Sequence, residues 1–280
     1  MPRTIFIYCD ESISRGRFYS NFYGGLLIEG RSIDRVERRL TNTIREAGLT
    51  GEVKWTAITP SVAGRYMLVV DALFGEMREG RVKIRIMFTQ NRDVPSLTEA
   101  QRDSGYHRLY YQFIKWAFGL QFAGDPGEET RVHLRLDKMP ASREQIAQFK
   151  GFVAALNTNR DFRESGVCFD KRRIVQIDSR RHALAQGLDL VLGSMAFRLN
   201  DRHKEKPDGA RRRGKRTIQK ELVYKHINRR IREIYPNFNI GVSTAQPNGP
   251  TDRWTHPYRH WCFVPKSSER DDGLTKRKAP

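Results

Sequence analysis

The chain opens with an apolar run that stops on two acids. Ile5, Phe6, Ile7, Tyr8 and Cys9 follow one another without a polar break, and Asp10 and Glu11 come next. An unbroken run predicts a strand over residues 4–10 that is covered on both faces, as at the centre of an α/β sheet. Residues 22–29 predict a second strand, antiparallel to the first. Residues 32–47 predict a helix, with Ile33, Val36, Leu40 and Ile44 at helical spacing and Gly48 after its end. A second helix is predicted over 60–77. A strand follows over 82–90, where Ile84, Ile86 and Phe88 alternate with Lys83, Arg85 and Met87. Then come an aromatic-rich helix over 106–120 and a strand over 130–137 with Val132, Leu134 and Leu136 on one face. A helix opens at Pro140 and Ser142 and runs to about Leu156, followed by a strand over 172–178 and a helix over 180–200.

Strands alternating with helices predict an α/β fold, a mixed sheet flanked by helices. At 280 residues the chain has room for one large domain with appendages. The division expected is a catalytic domain over 1–200 and, over 201–280, a basic loop, helix and aromatic, Pro-rich extension packing on it. Residues 200–217 hold eight Lys/Arg against three acids, broken by Pro207, Gly209 and Gly214. They read as a flexible basic loop, and 220–234 as a further basic helix. The segment from Asn237 reads as irregular, and the last dozen residues as disordered.

Charge narrows the function. Lys plus Arg number 51 against 32 Asp plus Glu, a net +19. That excess fits a polyanionic partner, DNA or RNA, because neutralised phosphates release condensed counterions. Arg211, Arg212, Arg213, Lys215 and Arg216 are the candidate backbone contacts. No apolar run approaches the roughly 20 residues that span a bilayer, and no signal-peptide cleavage site follows the first strand. The expectation is a cytoplasmic protein without a membrane role. Cys9, Cys168 and Cys262 lack both the spacing of a disulfide framework and a CxxC pair.

The chemistry is expected from acids in positions where acids are expensive. Asp10 ends the most apolar strand and Asp137 ends another; ligand sites in α/β sheets gather at strand C-termini. Two carboxylates converging there repel unless a proton or cation lies between them, and hard oxygen ligands select Mg2+ or Mn2+. Asp189 falls on the flank of an apolar stripe made by Leu184, Leu188, Val191, Leu192, Met195 and Leu199, with Ala185 and Gly193 at i−4 and i+4. Glu52, in GEVKW, has Lys54 on the same side of an extended segment, a spacing that favours a plain ion pair between the two. Glu11 is expected to face away from Asp10, and Asp178, also at a strand end, is an alternative to Asp137. His256, His260 and Cys262 lack a fourth ligand for zinc. Asp178, Ser179 and His182 lie too close in sequence for a triad. Gly24-Gly25 is not a phosphate loop. Core packing is the expected role of most aromatics between Tyr106 and Phe118.

Three segments, IYCDES, GEVKW and QIDSRRHALAQGLDLVLG, resemble the large prokaryotic family catalogued as domain of unknown function 3800, as does the tail WTHPYRHWCFVP. That family is regarded as ribonuclease H-like. The resemblance implies a metal-dependent nuclease, in phage defence or mobile-element biology, that hydrolyses phosphodiesters with two Mg2+ or Mn2+ ions. It places Asp10 as the acid of the first strand, Asp137 as the acid ending the fourth, Asp189 as the acid of the last helix and Glu52 as the Glu of a Glu-x-Lys motif. Lys54 would then hold the scissile phosphate or orient water. Ile13 stands where the family pattern expects Gly, and Glu52 precedes the third strand. A protein partner or a homodimer is compatible with this reading. It requires the Asp10, Asp137 and Asp189 carboxylates to converge within a few ångströms. The competing reading is a non-catalytic nucleic-acid-binding protein whose acids are structural.

Overall fold

The computed structural model of the chain describes residues 2–99, 101, 104–124 and 128–276. Its centre is a six-stranded mixed sheet. Strand β1 (Arg3–Glu11) pairs antiparallel with β2 (Tyr19–Glu29), and β2 pairs antiparallel with β3 (Val82–Gln90). A short β4 (Asp93–Pro95) follows. Strand β5 (Thr130–Leu136) lies parallel to β1, and β6 (Val167–Gln176) parallel to β5. At the other edge β7 (Tyr258–Phe263) lies parallel to β3, giving the order β6-β5-β1-β2-β3-β7. A final strand, β8 (Ser268–Arg270), pairs with β4 outside the main sheet.

Alternation along β1 divides the interior in two. Ile5, Ile7 and Cys9 join Val132, Leu134 and Leu136 in one core, whereas Tyr8 joins the other. The first core is closed by α3 (Gly105–Trp116), α4 (Arg143–Ala154) and α5 (Arg160–Glu164). Ser142 caps α4 reciprocally with Gln145. The second core is closed by α1 (Gly30–Glu46), α2 (Ala63–Arg78), α6 (Ala183–Leu199) and α7 (Lys215–Ile234). The fold is therefore α/β, with the mixed sheet between two helical layers.

Several expectations are corrected. The helix expected to run to residue 120 ends at Trp116, because Gly119 turns left-handed at φ +66° and its Cβ position would lie 2.5 Å from the Trp254 nitrogen. The sixth strand starts at Val167 rather than 172; its charged stretch Asp170–Arg173 is tolerated because β6 is an edge. The basic loop ends three residues sooner than expected, since Lys215 already begins α7. Val223, Tyr224, Ile227 and Ile231 of that helix are core residues. The tail after Asn237 is not irregular throughout. A four-residue α8 (Asp252–Thr255) leads into β7, whose Tyr258 and His260 are buried. Residues 268–274 include β8 and a 3-10 turn where disorder was expected; residues 277–280 lie outside the described residues. Among the described residues no helix is long and apolar enough to cross a membrane.

Candidate metal centre

Two acids meet at one end of the sheet through register alone. Cys9 of β1 pairs with Leu136 of β5, and the next amide, that of Asp137, donates to the Cys9 carbonyl at 2.9 Å. Asp10 and Asp137 are thus neighbours at the C-terminal ends of adjacent parallel strands. Both alternate away from the core that holds Cys9 and Leu136, so both turn to the face covered by α6.

Helix α6 brings the third acid. A single apolar stripe was expected, but between Ala183 and Phe197 Asp189 alone is not buried. The helix is enclosed all round because α1, α2 and α7 cover what the sheet leaves open. Close approach is possible because of Gly193: a Cβ there would lie 2.4 Å from Cγ of Trp55. The Trp55 amide in turn donates to Oδ2 of Asp189 at 2.5 Å. The N-terminus of α6 is held by Glu37 of α1, whose carboxylate accepts from the Ala183 and Leu184 amides. Gln186 accepts from the Val53 amide at 2.9 Å and donates to the Arg180 carbonyl at 3.1 Å, tying the Glu52–Trp55 segment to the turn after β6. Glu37, Gln186 and Trp55 are positioning residues that no local spacing singles out.

Glu52 and Lys54 form the ion pair their spacing favours, 3.1 Å apart, and the Ser179 hydroxyl donates to the same Glu52 oxygen at 2.9 Å. With Asp137, Lys138, Asp178 and Arg180 they line a cleft of about 440 Å³. Asp178 is engaged otherwise than as a ligand: it takes two hydrogen bonds from the Arg180 side chain at 2.9 Å and caps the turn at Ser179. Asp178, Ser179 and His182 form no triad, since Ser179 turns to Glu52. Glu11 does face away from Asp10, accepting from the Tyr106 hydroxyl at 2.9 Å in the opposite core.

Electrostatics mark the cluster. Burial raises the Asp10 carboxyl well above its ordinary value, and the fields of Asp189, Asp137 and Glu11 raise it further against one opposing hydrogen bond from the Glu11 amide. Asp189 is pushed up to about 6, first by burial, with the Trp55 amide and Lys54 opposing. Glu11 is pushed up to about 7 by burial, against the Tyr106 hydrogen bond. Lys54 is held above its ordinary value: burial works downward, but Glu52, Asp189 and Asp137 outweigh it. Among the described residues no three His, Cys, Asp or Glu side chains form a closed metal-binding group. Asp10 lies within the fields of Asp189 and Asp137, and Asp189 within that of Asp137, but the convergence within a few ångströms that the nuclease reading requires is not seen as a closed group among the described residues. The donor set itself, hard oxygens with excess negative charge, fits Mg2+ or Mn2+.

The expected basic contacts divide. Arg211, Arg212, Lys215 and Arg216 are exposed. Arg216 bonds the Ile58 carbonyl at 3.0 Å, and Arg213 is committed to the His203 carbonyl and to Glu221. Lys220, missed in the sequence, places its ammonium 5.7 Å from the Trp55 ring centre, within the field of Asp189. His260 uses both ring nitrogens, on the Ile240 carbonyl at 2.9 Å and the Tyr258 hydroxyl at 2.6 Å. The three cysteines are free thiols, and Tyr110, Phe113 and Phe118 are core. Against known proteins, no family model and no curated protein matches the chain.

Proposed function

We propose that the protein is a ribonuclease H-like, metal-dependent nuclease, a phosphodiester hydrolase acting on DNA or RNA. The observation that carries the reading is the in-register pair Asp10 and Asp137 at strand C-termini beneath Asp189 of α6, where the fields of Asp189 and Asp137 add to burial in raising the proton affinity of Asp10. Their acids stand on the first strand of the main sheet, after the fourth, and on the long helix after β6, the placements that the domain of unknown function 3800 resemblance calls for. Carboxylates that repel one another draw together around a cation. Asp10, Asp137 and Asp189 would hold the ions, with Glu52 joining on release from Lys54. When bound, two Mg2+ or Mn2+ ions supply an activated water and charge stabilisation at the leaving oxygen.

The chain's own groups do the rest. Lys54, freed from Glu52, holds a phosphate oxygen at the cleft, where Lys138 and Arg180 add positive charge, and Lys220 adds its own beside Trp55 and within the field of Asp189. Arg211, Arg212 and Lys215 track the backbone beyond it. The engagement of Glu52 by Lys54 and Ser179 favours a second reading, a nucleic-acid-binding protein whose acids only stabilise the fold. A labelled panel of DNA and RNA with Mn2+ separates the two. The nuclease reading expects products from the wild type and none from Asp10→Asn, with salt-sensitive binding by both. Binding without cleavage by either protein supports the second reading.

A further inference from the structure

A second polar cleft lies on the other face of the sheet. It has a volume of about 460 Å³, within the range of small-ligand pockets. It opens between the end of α3, the β3–β7 pair and the loop around Ser243–Gln246. Arg85 alternates with Met87 into the core opposite Asp10, and β7 is three strands from β1, about 14 Å at about 4.8 Å per strand. The two sites are separate, and the inference does not rest on the nuclease reading.

Three guanidinium groups converge on this cleft, and among the described residues none bonds a carboxylate. Arg85 is 1% exposed and donates to the carbonyls of Ile84, Arg253, His256 and Pro257, while its Nε is buried without a partner. Arg259, 6% exposed, bonds the Thr244 and Ala245 carbonyls and faces the His256 ring nitrogen at 3.5 Å. Arg253 is oriented by Gln246 through its Nε, and among the described residues its terminal nitrogens have no hydrogen-bond partner. Buried cations without an ion pair are costly; the field of Asp252 offsets part of that cost at Arg259, and an anion in the cleft offsets more. Burial, then the neighbouring Arg259, lowers Arg85 to about 9. The other lining side chains include aromatics and amides. Trp116 and Trp261 are half-buried at the cleft, Arg253 stands 5.9 Å from the Trp116 ring centre, and the Gln112 amide lies one helical turn before Trp116.

We infer that this cleft binds a nucleotide, its phosphate on the arginines and its base against Trp116 and Trp261, with Gln112 positioned to meet the base edge. A free mononucleotide and an unpaired nucleotide within a strand share that chemistry.

The test is titration of the full chain, followed by tryptophan fluorescence and calorimetry, with adenosine monophosphate, ribose 5-phosphate, inorganic phosphate and a five-residue oligodeoxyadenylate. The same titrations use Arg253→Ala and Trp116→Leu, whose circular dichroism and melting must match the wild type. The expected result is saturable adenosine monophosphate or oligonucleotide binding, tighter than ribose 5-phosphate, and weakened about fivefold to a hundredfold by Trp116→Leu and comparably by Arg253→Ala. Preference for the monomer assigns the site to free nucleotide, and preference for the oligomer to a strand. Retention of binding in Asp10→Asn separates this site from the acidic one. The inference is overturned if folded wild type binds neither nucleotide ligand saturably, if phosphate alone binds as tightly, or if neither substitution weakens binding.

Discussion

Two groups of enclosed acids in this molecule have opposite electrostatics. Glu76 of α2 is 0% exposed, and two arginines hold it: Arg39 of α1 at 2.6 Å and Arg81 just before β3. Burial would raise its proton affinity, but hydrogen bonds from Arg81 and Arg39 prevail and keep it below its ordinary value. At the other end of the sheet, Asp10 has, among the described residues, one hydrogen bond, from its neighbour's amide at 2.8 Å, and feels the fields of Asp189, Asp137 and Glu11. Lys54, which lies in the fields of Asp189 and Asp137, is paired with Glu52. Glu76 has its counter-charges built into the chain and serves the fold. Among the described residues the Asp10 group has no such ion pair, only the field of Lys54 on Asp189, and on the proposed reading a bound cation supplies its counter-charge.

Substitutions sharpen that contrast. Loss of Asp10 as asparagine should reduce Mn2+-dependent cleavage by at least about a hundredfold, since even outer partners of metal ligands contribute 10–100-fold; a gel assay against wild type measures it. Glu76→Gln should leave cleavage per folded molecule intact but destabilise the fold by about 3 kcal/mol. That is the lower end for a broken buried pair, because Arg39 is 45% exposed; urea unfolding checks it. Asp10→Asn should do the reverse to stability, raising the melting midpoint of metal-free protein at pH 8, where the wild-type carboxylates repel most. A function-linked acid that destabilises its own fold is expected on this account.

The pH dependence separates the same two groups. Asp189 at about 6 and Glu11 at about 7 lie above their ordinary values near 4, so the folded chain binds more protons than the unfolded one between those limits. Their contribution to stability therefore falls as pH rises from about 4 to about 7 and is level above that. Glu76 has the opposite sign: its contribution is full above its ordinary value and is lost as pH falls through its lowered one. Urea midpoints at several pH values, compared between wild type and Glu76→Gln, should resolve the two slopes. The smallest effect expected is in the basic arm. The double substitution Arg211→Ala, Arg212→Ala should leave melting unchanged and flatten the salt dependence of nucleic-acid binding by about 1.8 in log–log slope, about 0.9 per lost phosphate contact.

The Asp10–Asp137 pair was legible because it follows from local pattern: an apolar run ending in an acid fixes both the strand and the exposed end. The flank position of Asp189 was legible too, but the full enclosure of its helix was not, since that depends on α7, whose sequence reads as basic rather than apolar. Strand β7 was hidden because Arg259, His260 and Trp261 do not alternate cleanly. Their polar groups are satisfied by the Thr244–Ala245 loop and by Tyr258 and Ile240, contacts with no sequence signature. Glu37 and Gln186 were invisible for the same reason: each acts on backbone amides more than 130 residues away. Arg213 and Arg216 read as phosphate contacts by composition; their bonds to Glu221 and to the His203 and Ile58 carbonyls carry no sequence signature.

The most direct measurement is calorimetric titration of Mn2+ into wild type and Asp10→Asn at pH 6 and pH 8. The account predicts saturable binding by wild type that is tighter at pH 8 and releases more protons at pH 6, where Asp189 is still partly protonated, and binding at least about tenfold weaker in Asp10→Asn at both pH values. No saturable binding by folded wild type, or equal binding by the two proteins, would contradict it.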